Sequence, residues 1–414
     1  MKIAIMTLAL VSLTTPALAG GWTGKEVTKD GVVHVMNPAV PSDGAANLDP
    51  QELWRAGGDE DEDVIFGVVR DIAVDDAGNV YLLDVQLNQV HVFSRDGEFL
   101  RDIGREGEGP GEFRRPSAMF VMPDGKIAIV QMMPGKIILM NPDGTPGGDY
   151  HTPDAPDGGM QMFFEAGRAG NSVLVGINQF KRGEGSFTTT RSLHLLDNQG
   201  ASRAVLSSKT TQRDMAKMSF DEKDARGPEW AASADGRVFL SEDFDAYAIK
   251  RYNAAGTLDR VIERQYTHRT RSKQEVEDNK PQVRFRTSSG THRPESTASA
   301  TDRDILRMFA REDGSLWVLS SHGALDASGK TLVTLDVFDP TGRFVRQTSV
   351  RAEGSFKDDG ILVDGDYLFV IRQLHSAERA MNAAEDEESA PDDEDAEPMS
   401  VVCYRLTPAP TARK

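Results

Sequence analysis

Two kinds of glycine-centred turn alternate along this chain with short apolar segments, and the alternation recurs about five and a half times. Glycine supplies the positive φ that tight turns need, and Asp or Asn beside it bonds back to the local backbone. A repeat of this kind indicates a stack of supersecondary units. The pattern therefore constrains the architecture far more than the function. The first turns of the units are centred on Gly78, Gly125, Gly170, Gly236, Gly314 and Gly365, and the second turns on Gly97, Gly144, Gly200, Gly256 and Gly342.

Apolar runs follow each first turn and precede each second turn, as in Val80-Tyr-Leu-Leu83 and Val90-His-Val-Phe93. Short runs rich in Val, Ile, Leu and Tyr between Gly and Asp predict strands joined by hairpins. With the segments on either side, each unit has four antiparallel strands. Six four-stranded sheets of this repeat length predict an all-β fold, a six-bladed β-propeller.

The sixth unit lacks its fourth strand, because the chain ends soon after Tyr404. An unassigned strand precedes the first unit at residues 31–36. Pairing an N-terminal strand into the last blade removes an exposed sheet edge. We therefore expect the strand near 31–36 to close the ring; the alternative is that it forms a β-rich arm.

A family resemblance becomes visible in the first unit. Residues 69–84 and 89–97, followed by Gly104-Arg-Glu-Gly-Glu-Gly-Pro-Gly-Glu-Phe113, resemble an NHL repeat. The whole chain resembles a bacterial exported six-bladed propeller of the NHL-like kind. The resemblance implies the fold. It leaves activity open, since such propellers include protein- and RNA-binding scaffolds as well as a few lyases and lactonases, and a fold does not fix a function.

The chain begins with features of a secretory signal at residues 1–19, where Lys2 is followed by an apolar run and a small-residue cleavage site. The alternative is a membrane anchor, but the run is far shorter than the ~20 residues that span a bilayer. No Cys follows the run to accept a lipid, and Cys403 is the only cysteine. The sequence predicts a periplasmic or secreted protein without a membrane span, in which Cys403 is a buried small hydrophobe. After the signal we expect an N-terminal segment at 20–63, the propeller at 64–406 and a tail at 407–414.

The formal net charge of −18 is unevenly distributed. Residues 385–397, within a predicted loop at 384–398, carry acids and no base. Such a run favours a disordered loop; the alternative is a weak Ca²⁺ site, although the spacing lacks an EF-hand pattern. Overall acidity argues against a nucleic-acid partner, because phosphate contacts require clustered Lys and Arg.

A basic insertion at 265–303 separates the fourth and fifth units. Ser272 and Glu275 have the spacing of a capping box, which predicts a short helix. The insertion is either a solvated basic loop or a lid for an anionic ligand or an acidic protein. The candidate partner-binding residues on this side are Arg269, Arg271, Arg284, Arg286 and His322.

Strand alternation predicts that all the tight turns lie on one face of the disc, the turn face, and nearly every long segment on the other, the loop face. The predicted long segments include 104–116, 176–191, 207–227 and 374–399. Charged residues at the loop-face entrances of the innermost strands form either a site for a cation or polar ligand at the channel mouth, or a hydrated, mutually paired rim. The candidate channel-mouth residues are Arg70, Asp71, Glu229, Asp304, Arg307 and Asp359.

Motifs for enzymatic chemistry are missing from the sequence. No His falls on a predicted innermost strand, and no nucleophile elbow, phosphate loop or His-Glu-x-x-His is present. We therefore expect a non-enzymatic module, without a cofactor, that binds protein or peptide through its loop face. The alternative is a metal-dependent lyase or lactonase with a divalent ion at the channel mouth. The sequence does not determine the oligomeric state.

Overall fold

Six antiparallel sheets surround a central channel, which confirms the predicted all-β, six-bladed propeller. The computed structural model describes residues 21–59, 64–154, 158–283, 285–287, 290–384 and 398–406. The predicted signal at 1–19, the acidic run at 385–397 and the predicted tail at 407–414 lie outside the described residues. Within those residues, no helix has both the length and the apolar character needed to cross a bilayer.

Blades 1 to 3 each run from the channel outward in chain order. Blade 1 comprises Val69–Val74, Val80–Asp84, Gln89–Phe93 and Phe99–Ile103. Blade 2 comprises Pro116–Val121, Ile127–Gln131, Lys136–Met140 and Pro146–Tyr150. Blade 3 comprises Met160–Ala169, Ser172–Arg182, Ser186–Leu196 and Ser202–Asp214. Its outer three strands are long because the segment 176–191, predicted as a loop, continues the hairpin ladder; that loop prediction is wrong.

Blades 4 to 6 follow the same plan but recruit the N-terminal segment. Blade 4 contains Glu229–Ala232, Val238–Ser241, Ala248–Tyr252 and Leu258–Arg264. Blade 5 contains Ile305–Ala310, Leu316–Ser320, Val333–Phe338 and Phe344–Val350. Blade 6 contains Gly360–Asp364, Tyr367–Arg372 and Ser400–Arg405, and its fourth strand is Gln51–Gly57.

The N-terminal segment closes the ring, but not with the predicted strand. Gln51–Gly57 pairs antiparallel with Ser400–Arg405 and completes blade 6. The strand expected to do this, observed at Val32–Asn37, instead adds parallel to Leu258–Arg264 on the outside of blade 4. The four strands of a blade alternate in direction, so only an antiparallel partner can complete blade 6. The sequence of residues 51–57 does not predict a strand. The prediction of closure near 31–36 is therefore wrong.

Two further strands of the same segment cover other sheet edges. Lys25–Lys29 pairs with Val32–Asn37, which makes blade 4 six-stranded. Ala45–Leu48 adds parallel to Phe344–Val350, which makes blade 5 five-stranded. The segment therefore passes along the outer edges of three consecutive blades.

Large apolar side chains fill the contacts between neighbouring blades. At the closure, Trp54 stacks on Phe93 of blade 1 with ring centroids 5.7 Å apart and lies 6.3 Å from Phe369 of its own blade. Cys403 is fully buried in the same cluster, which confirms its interpretation as a small hydrophobe. Burial raises the pKa of its thiol to about 12.

Short helices and two-stranded ladders lie on the loop face. Ser272 and Glu275 form the predicted capping box at the start of the helix Lys273–Asp278. The other helices are Met215–Lys217 (3₁₀), Glu222–Ala225, Ser321–Leu325 and Leu374–Ala384. The added ladders pair Ser219–Asp221 with Glu295–Thr297 and Phe285–Thr287 with Gly290–His292.

Candidate functional site

The basic insertion is fastened to the loop face by buried ion pairs. The Arg271 side chain, only 3% exposed, donates to Glu222 Oε2 at 2.6 Å and to Asp302 Oδ1 at 2.6 Å. Arg269 donates to Asp302 at 2.6 Å, Asp326 at 2.8 Å and Glu275 at 2.9 Å. Both guanidinium groups are already neutralised within the chain. Arg271 therefore does not belong to a solvated basic loop. Its buried ion pairs hold the insertion in place.

The remaining candidates for partner binding are less constrained. His322 is partly exposed, and its ring nitrogens contact Asp326 Oδ2 at 2.6 Å and the Thr267 carbonyl at 3.0 Å. Arg286 lies in the short strand Phe285–Thr287. Arg284 lies outside the described residues. Among the described candidates, Arg269 and His322 meet at the carboxylate of Asp326, and the partner-binding role of this set stays a prediction.

An open cavity of about 920 Å³ lies at the loop-face end of the channel, and we call it the mouth cavity. The innermost strands form its floor, and the insertion and the helix Leu374–Ala384 form parts of its rim. Four of the six predicted channel-mouth residues line it, namely Arg70, Asp71, Glu229 and Arg307. Arg70 donates to Glu378 of the helix at 2.9 Å, and Asp71 accepts from the Met119 amide at 2.8 Å.

The other two predicted residues do not line the mouth cavity, because their carboxylates hold loops. Asp304 is 1% exposed and contacts His268 Nδ1 at 2.8 Å. Asp359 is 1% exposed and accepts from the amides of Ser355 at 2.8 Å and Gln373 at 2.9 Å. The prediction that they line the channel mouth is wrong. Each residue lies at the start of an innermost strand, but its carboxylate binds the loop that packs above that strand.

The side chains of Glu229 and Arg307 stand out among the charged groups of the mouth cavity. Across the described part of the chain, neither side chain makes a hydrogen bond or an ion pair, although both are half-buried on the innermost strands of adjacent blades. Burial raises the pKa of Glu229 to about 7, and Arg307 opposes that shift. Burial likewise raises the pKa of Asp71 to about 6, against the hydrogen bonds from Met119 and Ile72. Charged groups left this way in a cleft are typical of binding sites.

Sequence reasoning missed an aromatic part of the same cavity. Trp230, next to Glu229, donates its indole N–H to Glu165 Oε2 at 2.6 Å. Glu165 lines the cavity, and burial among its walls raises the pKa of this carboxyl. Phe164 is 39% exposed beside it. A register shift between Phe163 and Glu165 turns both side chains toward the channel, and no sequence pattern marks such a bulge.

The described side chains of the mouth cavity are not arranged as a set of metal ligands. Throughout the ranges that the structure describes, no group of three or more His, Cys, Asp or Glu side chains is arranged to hold a metal ion. Asp71, Glu165 and Glu229 surround the cavity without converging on one point. The guanidinium of Arg307 lies within electrostatic reach of all three.

Comparisons with known proteins agree with the fold. A family model described as a six-bladed β-propeller matches residues 60–150. Among solved structures, the chain is similar to a candidate exported protein from Bacteroides fragilis, with 13% identity, a TM-score of 0.46 and coverage of 91% of this chain and 100% of that one. It is also similar to a calcium-binding protein, regucalcin, from Agrobacterium tumefaciens, with 12% identity, a TM-score of 0.43 and coverage of 90% and 99%.

A gluconolactonase from Xanthomonas campestris is similar at 11% identity and a TM-score of 0.42, with coverage of 89% of this chain and 97% of that one. No curated protein matches the chain. The fold rests on the sheet topology and on the family match over residues 60–150. This chain is a six-bladed β-propeller.

Proposed function

We propose that this chain is an exported binding module that takes a protein or peptide segment in the mouth cavity of its loop face. The observation that carries the proposal is the pair Glu229 and Arg307, whose charged side chains make no hydrogen bond or ion pair to the described residues. A half-buried charge without a partner costs free energy, so the site is complete only when a ligand supplies the missing groups.

The shape of the mouth cavity supports a segment of chain as the ligand. Its volume of about 920 Å³ is at the upper end of the range for small-molecule pockets. It is open to solvent, and its lining includes carboxylates, guanidinium groups and aromatic rings. Peptides present the same mixture of charges, amides and apolar side chains.

A propeller is a suitable scaffold for such a site. The innermost strands of adjacent blades contact one another around the channel, so Glu229, Trp230 and Arg307 are held by a rigid ring rather than by a loop. The buried pairs of Arg271 keep the insertion beside the cavity. Pre-organisation of this kind reduces the free-energy cost of ordering the site when a ligand binds.

A metal-dependent lyase or lactonase is the second candidate. Asp71, Glu165 and Glu229 supply carboxylates at the same mouth, and carboxylate oxygens are ligands for divalent ions. Metal analysis of the purified full-length chain separates the two candidates. Stoichiometric tightly bound metal favours the enzyme and contradicts the metal-free binding module.

The binding role is tested by selecting a displayed library of random peptides on the immobilised full-length chain. Selected peptides are then offered to the double variant Glu229→Gln, Arg307→Ala. We expect enrichment of a peptide family on the parent and loss of its binding to the double variant. Failure to enrich any peptide, or equal binding of the selected peptides to the double variant, would contradict the proposal.

A further inference from the structure

A smaller pocket opens beside the mouth cavity, between blade 3 and the segment that leads into blade 4. Its volume is about 350 Å³, and we call it the side pocket. Phe164, Glu165 and Trp230 line both the side pocket and the mouth cavity, so the two spaces share a wall. The volume suits one bulky apolar group, since it is near the lower end of the range for ligand pockets.

The walls of the side pocket are fixed before any ligand arrives. The Glu165 carboxylate holds the Trp230 indole at 2.6 Å. The same ring packs on Gly167, where an added Cβ would lie 2.8 Å from Trp230 Cη2. Leu193 and Pro228 complete the apolar lining. Trp230 therefore cannot swing in to fill the pocket without giving up these contacts.

Two charged groups line the side pocket, and each is engaged within the chain. Arg191 donates to the carbonyls of Asp224, Ala225 and Arg226 at 3.3, 2.8 and 2.7 Å, and to Asn178 Oδ1 at 3.2 Å, while Glu165 accepts from Trp230. These bonds use all but one of the N–H donors of the Arg191 guanidinium. Much of the remaining lining is aromatic or aliphatic, including the exposed ring of Phe164, and burial of that surface by an apolar group stabilises a complex.

The mouth cavity supplies the complementary polar group. The guanidinium of Arg307 has no hydrogen bond or ion pair to any described residue. Its charge acts on Glu165, the residue that the two spaces share. A free guanidinium in a half-buried site favours a carboxylate, which it binds through two parallel N–H···O bonds.

We infer that the combined site binds a carboxylate attached to a bulky apolar group, with the carboxylate on Arg307 and the apolar group in the side pocket between Phe164 and Trp230. This inference rests on the proposed binding role of the mouth cavity and narrows its ligand class. Two sources offer this chemistry: the last residue of a peptide with a free C-terminus, and a small aryl or alkyl carboxylic acid. The C-terminal residue fits the peptide role, because the rest of the peptide occupies the mouth cavity.

The test measures binding of a fluorescent peptide that ends in Phe with a free carboxylate to the full-length chain. The comparison ligands are the same peptide as its C-terminal amide and the same peptide ending in Ala. We expect the amide and the Ala-ended peptide each to bind at least about tenfold more weakly, because each loses either the charge-assisted bond or the apolar contact. Equal affinity of the acid and the amide, or no binding of the Phe-ended acid, would overturn the inference.

Two variants test where the carboxylate and the apolar group of the ligand bind. Arg307→Ala should remove the difference between acid and amide. Gly176→Val should fill the side pocket and remove the difference between Phe and Ala; an added Cβ there meets its nearest neighbour at 3.5 Å, an ordinary contact, so the fold should be kept. Thermal unfolding of both variants checks this. If the differences persist in both folded variants, the assigned positions are wrong.

A competition experiment distinguishes a peptide C-terminus from a small carboxylic acid as the ligand. A comparison of selected peptides as acids and as amides separates this inference from the proposed binding role. N-acetylphenylalanine is added as a competitor of the labelled peptide. Weak competition supports a peptide C-terminus, and competition as strong as that of the whole peptide supports a small carboxylic acid. Peptides selected from the random library that bind equally well as amides would keep the proposed function and contradict the carboxylate inference.

Discussion

Cys403 lies directly opposite Trp54 in the last two strands of blade 6, and this pair joins the two ends of the chain. The sheet around it is antiparallel, and the Trp54 ring continues into blade 1 by stacking on Phe93. Ring closure therefore depends on residues 51–57 and not on the strand Val32–Asn37.

Truncation of the N-terminal segment provides the first prediction. Removing residues 21–36 should leave a closed ring, because it takes away the edge strands added to blade 4 and keeps the buried Asn37, which bonds to the backbone of Gly342 and Phe344. Removing residues 21–57 should open blade 6 and expose the cluster around Trp54. Cooperative thermal unfolding is measured for both. A midpoint that falls equally in the two truncations would show that closure does not reside in the strand Gln51–Gly57.

Substitution of Arg271 tests how the insertion is held. Arg271→Ala removes a buried cation from Glu222 and Asp302, which keep Arg226 and Arg269 as partners, so the cost should approach but not exceed the about 3–5 kcal/mol of a fully broken buried pair. Chemical denaturation measures this cost, and limited proteolysis should show new cleavage within 265–303. The matched control is Arg351→Ala, which breaks the exposed pair with Asp49 and should cost less than about 1 kcal/mol. Equal small costs for both variants would contradict the fastening role.

The buried carboxyl of Glu229 should make the free energy of unfolding depend on pH. Burial raises its pKa to about 7 in the folded protein, above the ordinary value of 4.5 for a glutamate. The folded state therefore holds the proton more tightly, so this residue lowers stability as pH rises from about 4.5 to about 7 and adds nothing further above that. Glu229→Gln should be more stable than the parent at pH 8 by on the order of 1 kcal/mol, since channel water screens the charge, and nearly equal at pH 4.

The measurement is the free energy of unfolding of parent and Glu229→Gln across that pH range. Asp364→Asn is a matched comparison at the turn-face mouth of the channel, where burial also raises the pKa of the carboxyl. The two profiles should fall in the same direction. A Glu229→Gln variant whose advantage is the same at pH 4 and pH 8 would show that the carboxyl is not held with a raised pKa.

Two glycines of the repeat should respond differently to alanine. Gly200 has φ +87°, and an added Cβ would lie 1.9 Å from the His151 carbonyl oxygen. Gly125 has φ +82°, but its Cβ would meet nothing within 4 Å. Gly125→Ala should cost about 1 kcal/mol for backbone strain alone, and Gly200→Ala clearly more because the backbone must shift. Equal losses by thermal unfolding would mean that the clash at Gly200 relaxes freely.

The architecture was predictable because the repeat is local. Gly78 and Gly97 mark their hairpins by turn chemistry that depends on neighbouring residues only, and the same holds for the capping box of Ser272 and Glu275. The closing strand was not predictable in the same way, because Gln51–Gly57 lacks a strong alternating pattern and is specified by its contacts with residues more than three hundred positions away.

The candidate site was partly predictable for a related reason. Strand alternation placed Arg70, Asp71, Glu229 and Arg307 at one end of the channel. It did not reveal that Asp304 and Asp359 turn toward their own loops, since tertiary hydrogen bonds decide that. Nor did it reveal Glu165, which a register shift in blade 3 brings to the cavity.

The central claim is that ligand binds at the loop-face mouth of the channel, and two arginine substitutions test it most directly. Arg307 lines that mouth, whereas Arg168 lines the turn-face mouth of the same channel. Affinity of a library-selected peptide is measured by titration calorimetry for the parent, Arg307→Ala and Arg168→Ala. The account predicts at least about tenfold weaker binding for Arg307→Ala and an unchanged affinity for Arg168→Ala. Weaker binding by Arg168→Ala with an unchanged affinity for Arg307→Ala would contradict it.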